Sequence, residues 1–351
     1  MSLQQHGRWA GVLRDLVAGR DLPETTATAA MADILDGQAT PSQIAAFVVA
    51  LRAKGETTQE LVGLLGAMRK AAAQVPLDAS ALGLIDTCGT GGDHSGSINV
   101  STAAALVAVG AGAKVCKHGN RSASSLCGSA DVLEALGAVV ELGPVGVAHC
   151  VQATGFGFCM APRFHPAMRH AAVPRRELGI ATVFNFLGPL ANPAGVNRQL
   201  VGTSDPQMAP KMLEVLGATG SVRAMVVHGH NGLDELATTG LTQVWELRDG
   251  EVGHYLVDPA SLGFASAQPD DLTGGDAGVN ARCLQQVLDA ASGPHRDVVV
   301  LNAAAALMVA GVCDTFGEGI DRAKAAIDSG VARNVLDRFI TTTQEVQNND
   351  G

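Results

Sequence analysis

A small helical domain followed by a larger α/β domain with a mostly parallel central sheet is the fold class this sequence predicts. Three observations carry it. Apolar residues in the first seventy positions recur at helical spacing behind capping sequences. From about residue 82, short apolar runs alternate with helical patterns. The first of those runs ends in a glycine-rich loop that leads into an alanine-rich helix.

The helical part is read from its start signals. Thr40-Pro41-Ser42-Gln43 has the form of a capping box with proline at the first helical position, and Ile44, Phe47, Val48 and Leu51 then fall at i, i+3, i+4 and i+7. Thr57 to Glu60 repeats the box, and Leu61, Leu64, Leu65 and Met68 repeat the stripe. Such stripes must be buried against the rest of the chain or a second copy. The α/β part opens with "LGLIDTCG". "GAKVCKHG" repeats strand then loop, "DVLEALGAVVEL" reads as a helix, and "GFGFCMAP", "RAMVVHGHNG" and "RDVVVLN" read as further buried strands. Residues 165–185 lack strand signals until late and are expected to return to the helical lobe. The predicted division is 1–74 helical, with an insertion at about 168–188, and 75–351 α/β.

Bulk numbers exclude some functions. Among 351 residues, aromatics are 3% and the formal net charge is −10. Base stacking and non-specific contact with nucleic acid or anionic membrane are poorly served by such a surface. The seven cysteines form no C-x-x-C pair, and "MSLQQHGRWAGVLRDL" has no apolar core of a signal peptide. The expectation is reduced thiols, a cytoplasmic location and no membrane span.

Four stretches carry chemistry. In "TCGTGGDHSGSINVST", Gly89, Gly91 and Gly92 allow a tight turn that presents backbone N–H groups. The helix opening near Asn99-Val100-Ser101-Thr102 aims its N-terminus at the same place, an arrangement that favours phosphate. G-x-G-x-x-G is excluded because position 94 is His94, and a Walker A loop is excluded for want of Gly-Lys-Ser/Thr. A turn serving packing alone is the competing reading, and Asp93 suits ligand hydroxyls or a solvated cation better than phosphate. In "KHGNRSASS", Lys117 to Ser125 are expected in the loop after the next strand. Loops at the carboxyl ends of parallel strands share one face, so Lys117 and the serines come near the glycine loop. A merely solvated loop is the alternative. In "HGHNGLDELATTG", His228 and His230 alone are a weak metal signal. The adjacent acids Asp234 and Glu235 suit Mg2+, which takes one or two carboxylates plus substrate phosphates. An ordinary helix N-terminus would favour the same acids. Finally, "APRFHPAMRHAAVPRRELG" gathers Arg163, Arg169, Arg175 and Arg176 with His165 and His170, and a guanidinium binds carboxylate in bidentate fashion.

Together these stretches resemble the anthranilate phosphoribosyltransferase family of the tryptophan pathway. The resemblance rests on "GTGGD", "NVST", "KHGNRSASS", "GSADVLEALG", "FHPAM", "RRELGIATVFNFLGPLANPA" and "GLDEL", in that order over nearly the whole chain. It implies a nucleoside phosphorylase/phosphoribosyltransferase-like fold and a homodimer joined through the helical domains. It implies that the donor, phosphoribosyl pyrophosphate (PRPP), lies on Gly89, Gly92, Asp93, Ser97, Asn99, Val100, Ser101, Thr102, Lys117, His118, Gly119, Asn120, Arg121, Ser122, Ala123, Ser124, Ser125 and Ser129. Anthranilate would meet Gly89, His118, Asn120, His165, Pro189 and Arg175, the last at its carboxylate. Mg2+ would be held by Ser101, Asp234 and Glu235. Ala191 and Asn231 depart from the family's more usual threonine and acidic residue. Arg121 is open between a ligand contact and a structural ion pair. A pyrimidine nucleoside phosphorylase, a nucleic-acid-binding paralogue and a structural or regulatory homologue are the alternatives. The first would take phosphate in place of pyrophosphate, and its signature around the lysine differs from "KHGNRS".

Overall fold

The computed structural model describes Leu3, residues 6–122 and residues 125–350. The first four helices are α1 (Arg8–Val17), α2 (Glu24–Leu35), α3 (Pro41–Lys54) and α4 (Thr58–Ala71). Both capping boxes form: the Thr40 and Thr57 hydroxyls accept from the Gln43 and Glu60 amides, and those two side chains reach back to the cap N–H groups. Glu60 is buried and well satisfied, accepting from Leu22 N at 2.8 Å and Lys54 Nζ at 2.9 Å. The stripe residues Ile44, Phe47, Leu51, Leu61, Leu64 and Leu65 are buried.

The α/β part runs α5 (Ala79–Leu82), β1 (Leu84–Gly89), α6 (Val100–Gly110), β2 (Lys114–Gly119), α7 (Ser129–Ala135), α8 (Pro144–Thr154) and β3 (Phe156–Met160). Then come α9 (Ala161–Phe164), α10 (Arg169–Leu178), α11 (Val183–Leu190), β4 (Arg198–Gly202), α12 (Ala209–Ala218) and β5 (Arg223–His228). The hairpin β6 (Thr242–Arg248) and β7 (Glu251–Val257) precedes α13 (Ala277–Leu288), α14 (Pro294–Ala310), α15 (Phe316–Asp328) and α16 (Val331–Asp350). The sheet order is β3-β2-β1-β4-β5-β6-β7, parallel through β5 and antiparallel at β6 and β7. No helix among the described residues is long and apolar enough to cross a membrane.

Period-two alternation sorts the strands between two cores. Leu200, Met225 and Val227 face a core built with α6, α8 and α13 to α16. Cys88, Val201, Ala224, Val226 and Leu247 face the other way, against α1 to α4, α11 and α12. Ala171 of α10 and Val183, Phe186 and Leu187 of α11 belong to this second core, so the segment after β3 does pack on the helical lobe.

Two expectations change and one alternative falls. "RDVVVLN" is not a strand but the first half of α14, which is buried along its whole length from Val298 to Val309. A helix apolar on all sides shows no 3.6-residue period, so its β-branched run reads as a strand. The helix in "DVLEALGAVVEL" stops at Ala135, and Gly137 follows with φ 100°. Asp234 and Glu235 sit in an irregular loop after β5, not at a helix N-terminus.

Candidate active site

A cavity of about 820 Å3 opens at the carboxyl ends of β1 and β2. Every described residue that the resemblance assigns to donor, acceptor or metal lines it, as does Arg169, whereas Arg163, His170, Arg176, His228 and His230 do not. Ala123 and Ser124 lie outside the described residues.

The donor half is built from loops and one helix end. Gly91 and Gly92 adopt φ of 66° and 76°, which only glycine takes without strain. Among the described residues no protein group accepts from the Gly92, Asp93 or His94 amides. The Ser101 N–H in the first turn of α6 is different: it donates to Glu235 Oε1 at 3.1 Å. Asp234 Oδ2 accepts from Gly91 N at 2.7 Å. The acid segment packs so closely that a Cβ on Gly202 would lie 1.5 Å from the Asp234 carbonyl oxygen, and one on Gly89 would lie 2.3 Å from Asp234 Oδ2. From behind, Asn302 of α14 holds it: its Oδ1 accepts from Leu236 N at 3.0 Å and its Nδ2 donates to Leu236 O at 2.8 Å.

Lys117, His118 and Gly119 are strand residues of β2, paired with β3, and not loop residues as their sequence position implies. Strand pairing buries Lys117 beneath the loops. Its ammonium donates to the Thr87 carbonyl and, at 3.1 Å, to Ser101 Oγ, and its charge acts on Asp86 and Glu235. Burial, and then the neighbouring Asp93 charge, pushes Asp234 up to about 7. Burial and Asp234 push Glu235 up to about 8 against the pull of Lys117. Carboxylates crowded this way are relieved by a hard divalent cation. The oxygen donors Asp234, Glu235 and Ser101 fit Mg2+, whose remaining positions substrate phosphates and water would fill. Among the described residues no group of three or more His, Cys, Asp or Glu forms a closed metal cage.

Two expected ligands are otherwise engaged. The Asn99 side chain donates to Cys127 O at 3.1 Å and accepts from Asn280 Nδ2 at 2.9 Å, which fixes the start of α6. Arg121 pairs with Asp131, Glu134 and Glu141, its Nη2 lying 2.8 Å from Glu134 Oε1; these acids hold it above its usual range. The structural alternative for Arg121 is the one this geometry favours. Ser129 Oγ accepts from Asn120 N at 3.2 Å, and Ser122 N donates to Asp131 Oδ2 at 3.0 Å.

The acceptor half is drier. The His118 and His165 rings lie 5.1 Å apart at a tilt of 49°. Burial, and then His165, lowers His118 to about 3, and burial lowers His165 as well, so both rings are neutral at pH 7. His165 Nε2 contacts Ala191 O at 3.0 Å. Gly188, Pro189 and Met68 complete the apolar walls. Arg175 of α10 stands half-buried at one side with its guanidinium 5.4 Å over the Phe184 ring. No carboxylate among the described residues pairs with it, and burial lowers its pKa. An unpaired guanidinium facing a cavity is a site for an anion.

Sequence reasoning missed the buried tie between the halves. Asp86 accepts from His118 N at 3.0 Å and from Asn192 Nδ2 at 2.8 Å; Asn192 Nδ2 also donates to Cys116 O at 2.8 Å. Burial raises Asp86, and Lys117 opposes that shift. A lone acid inside "LGLIDTCG" was the available signal. His228 Nδ1 contacts Thr203 O at 2.8 Å, and neither His228 nor His230 lines the cavity.

The sequence matches the helical bundle domain of the "Glycosyl transferase family" over residues 10–72 and that family's a/b domain over 82–333. It is 48% identical over 345 residues to the anthranilate phosphoribosyltransferase of Saccharopolyspora erythraea, covering 97% of each chain. The crystal structure of the Thermus thermophilus enzyme of that name superposes with a TM-score of 0.89 at 40% identity, covering 95% of this chain and 99% of the other. The Saccharomyces cerevisiae enzyme in complex with PRPP and Mg gives 0.88 at 28% identity, covering 96% and 98%.

Proposed function

The chain belongs to the anthranilate phosphoribosyltransferase family, and from that premise we propose that it transfers the 5-phosphoribosyl group of PRPP to the anthranilate amine, releasing pyrophosphate, in tryptophan biosynthesis. One observation carries this reading. One cavity joins a glycine loop, whose Gly92 to His94 amides have no acceptor among the described residues, to a wall of two packed neutral imidazoles, and Arg175, without a carboxylate partner among the described residues, stands beside that wall.

The bond between ribose C1 and the pyrophosphate oxygen breaks while the amine nitrogen bonds to C1, and the acidic proton left on that nitrogen passes to water or the departing pyrophosphate. Charge grows on the leaving oxygens, where the Gly92 to His94 amides and the α6 N-terminus lower its energy. Asp234, Glu235 and Ser101 would hold Mg2+, which when bound would supply further neutralisation of the leaving group. Lys117 acts from below, holding Ser101 and balancing Glu235. His118 is too weak a base at about 3 to take the amine proton efficiently at pH 7, so it serves as a wall that orients the ring. The aromatic amine is uncharged and needs positioning more than deprotonation. Arg175 holds its carboxylate.

The expected location is the cytoplasm, and the expected assembly is a homodimer through the helical lobe. Val17 of α1 and Val49 of α3, both exposed there, support the second reading. The test is loss of anthranilate fluorescence with PRPP and Mg2+, against controls lacking either. Loss only in the complete mixture is expected; no loss at saturating substrates contradicts the reading.

A further inference from the structure

The glycine loop makes few bonds of its own, and its brace comes from outside the cavity. Thr90 N donates to Gly202 O at 2.9 Å, and Ser204 N donates to Thr90 Oγ1 at 3.2 Å. Ser204 Oγ and Thr90 Oγ1 both donate to the Gly91 carbonyl, each at 3.1 Å. A peptide unit is planar and trans, so fixing the Gly91 C=O fixes the direction of the Gly92 N–H on its opposite edge. That N–H has no protein acceptor among the described residues, and Gly92 lines the cavity. With positive φ at both glycines, the plane would otherwise flip freely.

The brace is anchored in the other lobe. Asp205 Oδ2 pairs with Arg52 Nη2 of α3 at 2.8 Å, and the Arg52 guanidinium lies 5.3 Å over the Phe186 ring of α11. Ser204, Asp205 and Arg52 do not line the cavity, so any effect on the donor passes through the loop.

We infer that Ser204, backed by the Arg52–Asp205 bridge, is a positioning residue that aims the Gly92 amide at the donor's pyrophosphate. The inference rests on the proposed function for the identity of the donor. It predicts a defect confined to the donor, since the His118–His165 pair shares no hydrogen bond with the brace.

The experiment titrates PRPP with Mg2+ calorimetrically into wild type, Ser204→Ala, Ser204→Thr and Arg52→Gln, alongside both KM values and the melting temperature. Ser204→Ala should weaken donor binding and raise its KM by about threefold to tenfold, the worth of one hydrogen bond. The anthranilate KM and the melting temperature should stay close to wild type. Ser204→Thr keeps the hydroxyl and should restore donor affinity. Arg52→Gln should shift the same constant by about twofold, as expected of a part-exposed ion pair. Unchanged donor affinity in Ser204→Ala, or an equal rise in both KM values, overturns the inference. Weakened PRPP binding in Ser204→Ala supports the brace whether or not the wild type consumes anthranilate. Failure of turnover in the wild type counts against the function alone.

Discussion

Under the proposed function, the two halves of the cavity solve recognition in opposite ways. The donor half uses backbone amides, a helix end and crowded acids that a cation would complete. The acceptor half uses rings that stay neutral and a guanidinium, Arg175, with Arg169 also on its wall. The contrast follows from the ligands' physics. A pyrophosphate spreads charge over many oxygens and is met by many dipoles. A flat aromatic acid carries its charge at one end, so one guanidinium and dry walls suffice.

The largest expected effect breaks the donor half by geometry alone. In Gly202→Ala the new Cβ would meet the Asp234 carbonyl oxygen at 1.5 Å, which displaces the acid segment. A loss of about a hundredfold in kcat/KM is expected from a misplacement of that size. Steady-state rates with the fold checked by circular dichroism measure it, and near-wild-type activity would show that the acids have slack.

Removing the support behind those acids comes next. Asn302→Ala strands the Leu236 N–H and C=O inside the protein, which should cost about 2 kcal/mol of stability. It should also shift the Mg2+ titration of activity to higher concentration. Asp86→Asn is the counterpart between the halves; its NH2 must face either His118 N or Asn192 Nδ2, so one of the two hydrogen bonds is lost and the melting temperature should fall.

The pH dependence of stability sharpens the comparison further, because the halves have opposite signs. Asp234 and Glu235 are raised in the folded chain to about 7 and 8. Their neutral-form preference is therefore fully satisfied at pH 4 and lost as pH rises through those values. His118 is lowered to about 3, so the unfolded chain takes up its proton first and stability is lost as pH falls below about 6.5. Melting curves in chelator should show that Asp234→Asn with Glu235→Gln helps most at pH 8 to 9. His118→Gln should help most at pH 5. Added Mg2+ should raise the alkaline limb of the wild type only. Parallel curves for both variants would contradict the assignment.

The same contrast explains what was legible in the sequence. Donor residues cluster in two continuous runs, 89–102 and 117–129, with glycines and hydroxyls that mark a turn before any fold is known. The capping boxes at Thr40 and Thr57 are equally local, and both form. Acceptor residues are spread over α4, β2, the segment after α9, α10 and α11, so only the resemblance gathered them. The roles of Asp86, Asn192, Ser204 and Asn302 are not legible locally because their partners are remote in sequence: Asn302 meets Leu236, and Ser204 meets Gly91. Lys117 reads as a loop residue because it follows the apolar run "GAGAKV", whereas strand pairing and the Asp86 and Glu235 charges hold it buried.

The central claim is that donor and acceptor are recognised by separate devices meeting at one bond, and Arg175→Ala tests it most directly. Calorimetric titration of each substrate into this variant, with Mg2+ present, should show PRPP binding within about twofold of wild type. Anthranilate affinity should fall by about tenfold or more, the worth of a charged hydrogen-bonded contact. Equal losses for both substrates, or retained anthranilate affinity, would contradict it.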